Sequence, residues 1–418
     1  MNFKKIFNNK IFKETIWSFL NKGTTFVLFF LINILLARKF GVEVFGYWSF
    51  LLSNLTIIAI ISYFGINASA RKYIAQYNKT INLKNIIYDS LKLRIIFSLI
   101  FSIILLIISV PLADFLKRPE MAKLFMISSP FIFLSGIVEY LKGVFAGLHR
   151  LKYNLIINFL EYGLKLFFVF IVFCFSVSLF GVIISFSASL LVTAIIGIIL
   201  LYNYFYKRLD SSDINFKKDI LTYSFPLFFI SIGFIVATEI DTVMIGMLST
   251  DIQVGIYAVA KQITLKLPQI ALVVSMGVMP LFAKLNKLNK EKLKKLFYKL
   301  LKINALIFGL ISLIILGFSD LFLPFLFGTT YFESVLILKL LIPYMVILSF
   351  SMFLSSILDY QGVAKKRAIN LSISVILNIV FNFILIPQYG ANGAAIATSV
   401  SYIPYIILNW IEVRKVFN

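Results

Sequence analysis

The stretch "ATEIDTVMIG" (237–246) sets two carboxylates, Glu239 and Asp241, in a run that is otherwise almost wholly apolar. "SFPLFFISIGFIV" (224–236) precedes it, so the acids do not belong to a polar loop. Neither has a basic residue three or four positions away, the spacing that would let a helix neutralise them locally. Buried carboxylates of this kind can pair with a base elsewhere, hold a cation or carry a proton.

Other ionisable and amide side chains intrude into apolar runs in the same way. They are Asn21, Lys22 and Asn33; Glu139 and Lys142; Glu161 and Lys165; Lys261, Gln262 and Lys266; and Asn378 with Asn382, which share a helix face. A charge at the centre of a bilayer costs about 2.5–3.5 kcal/mol. The nine charged residues of this set would together cost about 20–30 kcal/mol facing lipid, against a folding free energy of about 5–15 kcal/mol. They must face one another or water, and a hydrated cavity is the expectation. Glu139–Lys142 and Glu161–Lys165 have the acid first at i,i+3 and i,i+4, so local pairing is one reading of each. Pairing of Glu239 and Asp241 with Lys261 and Lys266 across two helices is another. Lysine, a compact point charge, also suits a phosphate that must be held and then released.

The elements that must position these residues are membrane helices. The 418 residues are 60% hydrophobic and 14% charged, with a mean hydropathy of +0.96. Soluble domains carry about 25% charged residues, which excludes an ordinary soluble enzyme. About twelve spans are expected: 15–37, 46–66, 92–113, 122–148, 153–176, 179–206, 219–248, 252–283, 296–318, 333–358, 367–387 and 391–411. Pro130, Pro226, Pro268, Pro343 and Pro404 fall within them and predict kinks. The basic start "MNFKKIFNNKIFKETIW" leads into a full-length span and not a cleavable signal.

The formal charge of +22 is distributed by side, which argues for membrane orientation and against nucleic acid. Of 40 Lys and Arg, 29 fall on the side of the N-terminus, 5 on the other, and the rest within spans. That bias places both termini in the cytoplasm and the chain in the cell membrane. The basic segment "KLNKLNKEKLKKLFYKLLK" (284–302) reads as an amphipathic surface helix attracted to anionic membrane lipids.

A duplication organises the chain. "FGYWSF" (45–50) and "VGIYAV" (254–259) open spans two and eight, with Gly46 and Gly255 209 apart. "GLHRLK" (147–152) matches "GVAKKR" (362–367) at an offset of 215, and "FGVIISFSAS" (180–189) matches "NGAAIATSVS" (392–401) at 212. An even number of spans per copy gives both copies the same direction, hence parallel six-helix bundles, 1–210 and 211–418. The polar stretch 207–218 is the expected linker.

No catalytic constellation is present: there is no G-x-x-x-x-G-K-[ST] phosphate loop, no H-E-x-x-H and no Cys/His cluster. No metal or cofactor is therefore expected. Cys174 is the one cysteine and His149 the one histidine, and neither is assigned a role.

The chain resembles the polysaccharide-biosynthesis flippases of the multidrug/oligosaccharidyl-lipid/polysaccharide exporter superfamily. The resemblance is carried nearly end to end by "LLARKFGVEVFGYWSF" (35–50), "GINASARKYIAQY" (65–77), "EIDTVMIGMLSTDIQVGIYAVA" (239–260) and "ILNIVFNFILIPQYGANGAAIATSVS" (376–401). It implies two six-helix bundles forming a V around a central, often cationic cavity. It also implies movement of isoprenoid-pyrophosphate-linked oligosaccharides between leaflets, with glycan-assembly proteins as further partners. Only Asp241 matches a family motif residue by residue; the lysines rest on the argument from burial. A cation-coupled multidrug antiporter of the same superfamily is the alternative. It would favour acids in the cavity, where lysines here outnumber them five to four. A membrane-embedded glycan polymerase would need a sizeable outer loop, and every outer connection is short.

Overall fold

The computed structural model describes residues 10–417 except 79, 209, 211–213, 270, 272–289 and 361–363. Among the described residues every regular element is helical. In chain order they are α1 (Lys10–Tyr63), α2 (Ile66–Gln76), α3 (Leu83–Phe115), α4 (Ala122–Ile127), α5 (Ser129–Gly147), α6 (Leu151–Phe175) and α7 (Leu179–Tyr204). There follow α8 (Lys217–Leu248), α9 (Asp251–Lys266), α10 (Lys290–Phe327), α11 (Ser334–Leu340), α12 (Ile342–Tyr360), α13 (Ala364–Ser401) and α14 (Ile403–Phe417).

Among the described residues, eight helical segments are long and apolar enough to cross a bilayer, or nine if the bent pair α11–α12 counts as one span. Two of these, Ile16–Tyr63 and Lys365–Lys415, run for 48 and 51 residues. At 1.5 Å per residue each exceeds about 70 Å, more than twice a hydrocarbon core of about 30 Å. The helical geometry breaks inside them at Gly41 (φ 74°) and Gly390 (φ 55°), left-handed positions where glycine is tolerated. Each such segment therefore supplies two of the expected spans. The span expected at 252–283 begins as α9 and continues outside the described residues.

Three of the five prolines stand at a helix start and not in a helix interior, and Pro343 follows the 44° bend between α11 and α12, where a kink in that span is expected. Pro130, Pro343 and Pro404 each stand second in a helix (α5, α12 and α14). The missing N–H is one that a first turn leaves unpaired anyway. Pro226 does lie inside its helix, as do Pro111, Pro324 and Pro387.

The duplication is visible in element order. A 3-10 turn at Pro119–Met121, a short helix α4 and a proline-started helix α5 recur as Thr329–Tyr331, α11 and α12. The chain forms two compact units, one of Met1–Leu35 with Leu51–Val236, the other of Leu36–Phe50 with Ala237–Asn418. In the second unit, Arg38 donates from Nε to the Leu326 carbonyl at 2.7 Å and from Nη2 to that of Phe325. Tyr331 donates to the Ala37 carbonyl at 3.1 Å. The segment around Gly46 packs so tightly that a Cβ there would lie 1.8 Å from the Asp251 carbonyl oxygen. A Cβ at Gly255 would lie 2.1 Å from that of Val42.

The described part of the basic segment is the first turns of α10, where Leu293, Phe297, Leu300 and Leu301 are buried. Phe297 stacks on Trp410 of α14 at 6.3 Å. Its apolar side thus packs on the chain itself, a correction to the surface-helix expectation, while Lys294, Lys295 and Lys299 stay exposed. Residues 284–289 lie outside the described residues.

Candidate functional site

The charged side chains collect into one cluster in each unit. In the first unit, α5 and α6 run consecutively and each carries an acid and a lysine about one turn apart. Lys142 Nζ donates to Glu139 Oε1 at 2.6 Å, and Lys165 Nζ to Glu161 Oε1 at 2.6 Å. Both local pairs therefore form. They are also joined across the two helices, because Lys142 Nζ reaches Glu161 Oε2 at 2.7 Å. Glu161 and Lys165 are buried, whereas 41% of the Glu139 side chain is exposed, so the ladder runs from a covered end to an open one. The Tyr162 and Phe186 rings lie 4.9 and 5.2 Å from Lys165 Nζ.

Lys22 is exposed, makes no ion pair among the described residues, and feels the charge of Glu139. Its neighbour Asn21 accepts from Asn158 Nδ2 at 2.6 Å, which ties α1 to α6. Asn33 is not brought into the cluster; it donates to the Phe29 carbonyl of its own helix.

Arg94 of α3 is a member that the sequence did not reveal. It stands near the start of the expected span 92–113, yet it is fully buried eleven positions into its helix. Its guanidinium donates to the carbonyl and hydroxyl of Ser62 at 2.9 and 3.1 Å and lies 4.7 Å from the Tyr63 ring centroid. Gly136 leaves the room, since a Cβ there would sit 2.0 Å from Arg94 Nη2. Arg94 also interacts electrostatically with Glu139. Lys142 and Lys165 thus pair with Glu139 and Glu161, and Lys22 and Arg94 lie near enough to Glu139 to feel its charge, which makes four cations to two acids in this cluster.

In the second unit the two acids part company. Glu239 accepts from Lys261 Nζ at 2.7 Å, and the same ammonium donates to Thr242 Oγ1 at 2.8 Å. Asp241 is buried and is served by neutral donors: Asn382 Nδ2 at 2.7 Å, Thr398 Oγ1 at 2.8 Å and the Tyr257 hydroxyl at 2.8 Å. Asn378 Nδ2 donates to Thr398 Oγ1 at 3.2 Å, and Asn378 Oδ1 accepts from Asn382 at 3.2 Å. The expected pairing of both acids with lysines across helices therefore holds for Glu239, and Asp241 is held otherwise.

A void of about 10 Å³ adjoins Asp241, Tyr257, Lys261 and Tyr344, close to the least space that takes one water. Asn382 Oδ1 and both polar atoms of Gln262 are buried without a hydrogen-bond partner among the described residues. Lys266 is half-buried, five positions beyond Lys261 on α9. Tyr257 and Thr398 stand in the motifs that carry the family resemblance, so their types are visible in the sequence and their roles are not. No group of His, Cys, Asp and Glu suited to a metal ion occurs among the described residues.

The comparisons with known proteins agree on the kind of molecule. The family described as "Polysaccharide biosynthesis protein" matches residues 11–286, and MatE matches 226–384. An uncharacterized membrane protein of Methanocaldococcus jannaschii is 26% identical over 409 residues, 95% of each chain. A multidrug resistance MATE family transporter of the MOP superfamily, in an inward-facing conformation, aligns with a TM-score of 0.78 at 17% identity. That alignment covers 94% of this chain and 95% of the other. The lipid II flippase MurJ aligns at 0.77 and 16% identity over 97% and 88%. A MOP superfamily transporter from Pyrococcus furiosus, whose binding pocket is described as reversed in polarity, aligns at 0.67 and 18% over 98% and 95%. The fold is that of the MOP superfamily, whose members here are transporters and flippases and not enzymes. The chain is a multi-pass membrane protein and belongs to the polysaccharide biosynthesis protein family.

Proposed function

We propose that this protein moves an isoprenoid-pyrophosphate-linked oligosaccharide from the cytoplasmic to the outer leaflet, for assembly of a surface glycan. The observation that carries the reading is the cation excess of the charged cluster in the first unit, where Lys22, Arg94, Lys142 and Lys165 outnumber Glu139 and Glu161. A pyrophosphate is the part of such a substrate least able to enter a membrane, and a net-positive polar ladder offsets that cost. Lys22 is the member with free capacity, while Lys142 and Lys165 set the field from within ion pairs. The reading includes a cell-membrane location with both termini cytoplasmic. Bilayer lipids and glycan-assembly proteins are its partners.

Asp241 is the proposed coupling site. A buried carboxylate held by hydroxyls and amides, beside a void of about 10 Å³, can exchange a proton or a small cation with little rearrangement. This feature alone would equally serve a cation-coupled multidrug antiporter, which is the second reading.

Purified protein in liposomes decides between them. Translocation of a short-chain isoprenoid-pyrophosphate oligosaccharide, without efflux of cationic dyes, is the expected result. Ion-gradient-driven dye efflux with no glycan translocation would replace the first reading by the second.

A further inference from the structure

A second basic site lies in the first unit, away from the ladder, where α2, the end of α5 and α8 converge. Its floor is made of small residues, Ala68, Ala75, Ala146 and Gly147, and its rim carries Arg71, Lys72 and His149. The small floor follows from close helix packing. A Cβ on Gly147 would lie 2.8 Å from the Arg71 carbonyl oxygen, and one on Gly143 would lie 3.0 Å from that of Asn67. The hollow left above these residues measures about 410 Å³, within the roughly 300–1,000 Å³ of small-ligand sites.

Each rim residue is placed for a reason. Lys72 Nζ stands 3.5 Å from the centroid of the Tyr223 ring, a cation–π contact that holds the ammonium over the pocket. Arg71 makes no ion pair among the described residues, so its fork of donors is available. His149 ends α5 in a Schellman cap. Its own N–H bonds to the Ala146 carbonyl at 3.1 Å and that of Arg150 to the Phe145 carbonyl at 2.9 Å. It does so with φ 54°, at the position helices usually give to glycine. The strained backbone fixes an imidazole where a glycine would be cheaper. No acid lines the pocket.

We infer that this pocket binds a phosphate group, with Arg71 as a bidentate donor, Lys72 as a point charge and His149 as a further donor. The phosphate can come from the headgroup of an anionic bilayer lipid or from a free phosphate or pyrophosphate. The inference does not depend on which substrate the chain transports.

His149 is the only histidine of the chain, so a tag-free sample labelled with 15N-histidine reports on this pocket alone. The full chain is placed in phosphatidylcholine nanodiscs and titrated with inorganic pyrophosphate, and in parallel in discs of rising phosphatidylglycerol content. Saturable movement of the imidazole signals is expected with at least one probe. Movement with pyrophosphate alone identifies a soluble phosphate; saturation by phosphatidylglycerol that blocks the pyrophosphate response identifies a lipid headgroup. Arg71→Gln with Lys72→Gln should raise the half-saturation point by about tenfold or more. Lys295→Gln with Lys299→Gln, which removes equal charge from exposed positions, should not. Thermal melting of both double variants verifies that they fold. No saturable movement with either probe, or equal weakening by the two pairs, overturns the site.

Discussion

Lys142 and Glu161, on consecutive helices, meet at 2.7 Å, and their contact joins two helix-local ion pairs into one ladder. Without it each pair would be a self-contained feature of one helix surface. With it, the carboxylate of Glu161 is shared by two ammonium groups, and α5 and α6 are tied at a common height.

Glu161→Gln leaves Lys165 buried without its acid and Lys142 with Glu139 alone. Removing one partner of a buried pair costs about 3–5 kcal/mol, mostly from the charge left behind. A large fall in detergent melting temperature is expected, and the double variant Glu161→Gln with Lys165→Met should recover part of it. A melting temperature equal to wild type for Glu161→Gln would mean that the lysines find water instead.

Lys22→Gln should behave in the opposite way. Lys22 is exposed and unpaired among the described residues, so stability should change by no more than about 0.5 kcal/mol. Translocation of the pyrophosphate-linked substrate in liposomes should drop about tenfold or more if Lys22 meets the phosphate. Unchanged transport would remove Lys22 from the site.

Asp241→Asn keeps shape and removes charge. Its three donors, from Asn382, Thr398 and Tyr257, would face an amide. Transport should lose its response to an imposed proton or sodium gradient while substrate binding persists. Retained gradient dependence in this variant would move the coupling role elsewhere.

Gly46→Ala and Gly255→Ala should each destabilise the fold, because the added methyl meets backbone carbonyl oxygens at 1.8 and 2.1 Å and not a side chain that can turn away. Gly233→Ala is the matched control. Nothing lies within 4 Å of a Cβ there, and alanine is favoured over glycine in a helix by about 1 kcal/mol. Melting curves of the three variants should therefore move in opposite directions.

Much of this was legible in the sequence, and the divisions follow physical lines. The spans, the duplication and the two i,i+3 and i,i+4 pairs depend on composition and local spacing, which a linear reading registers directly. Arg94 was missed because eleven residues of α3 precede it and an apolar run follows, so it looked like a flank of the span. The partners of Asp241 were missed because Asn382 and Thr398 are 141 and 157 positions away. Nothing in the periodicity of α8 points to α13. Pro130, Pro343 and Pro404 mark breaks between two helices of one expected span, since an apolar run hides a boundary when both sides of it lie in lipid.

The glycine seam of the second unit joins positions that correspond under the internal offset of the sequence. Val42 and Gly46 shifted by 209 positions become Asp251 and Gly255. The crowding is reciprocal, with Gly46 against Asp251 and Gly255 against Val42. Such mutual fit is the mark of two like surfaces meeting about a rotation axis, as in a homodimer. The seam thus has, inside a single polypeptide, the reciprocity of a joint between two equivalent surfaces.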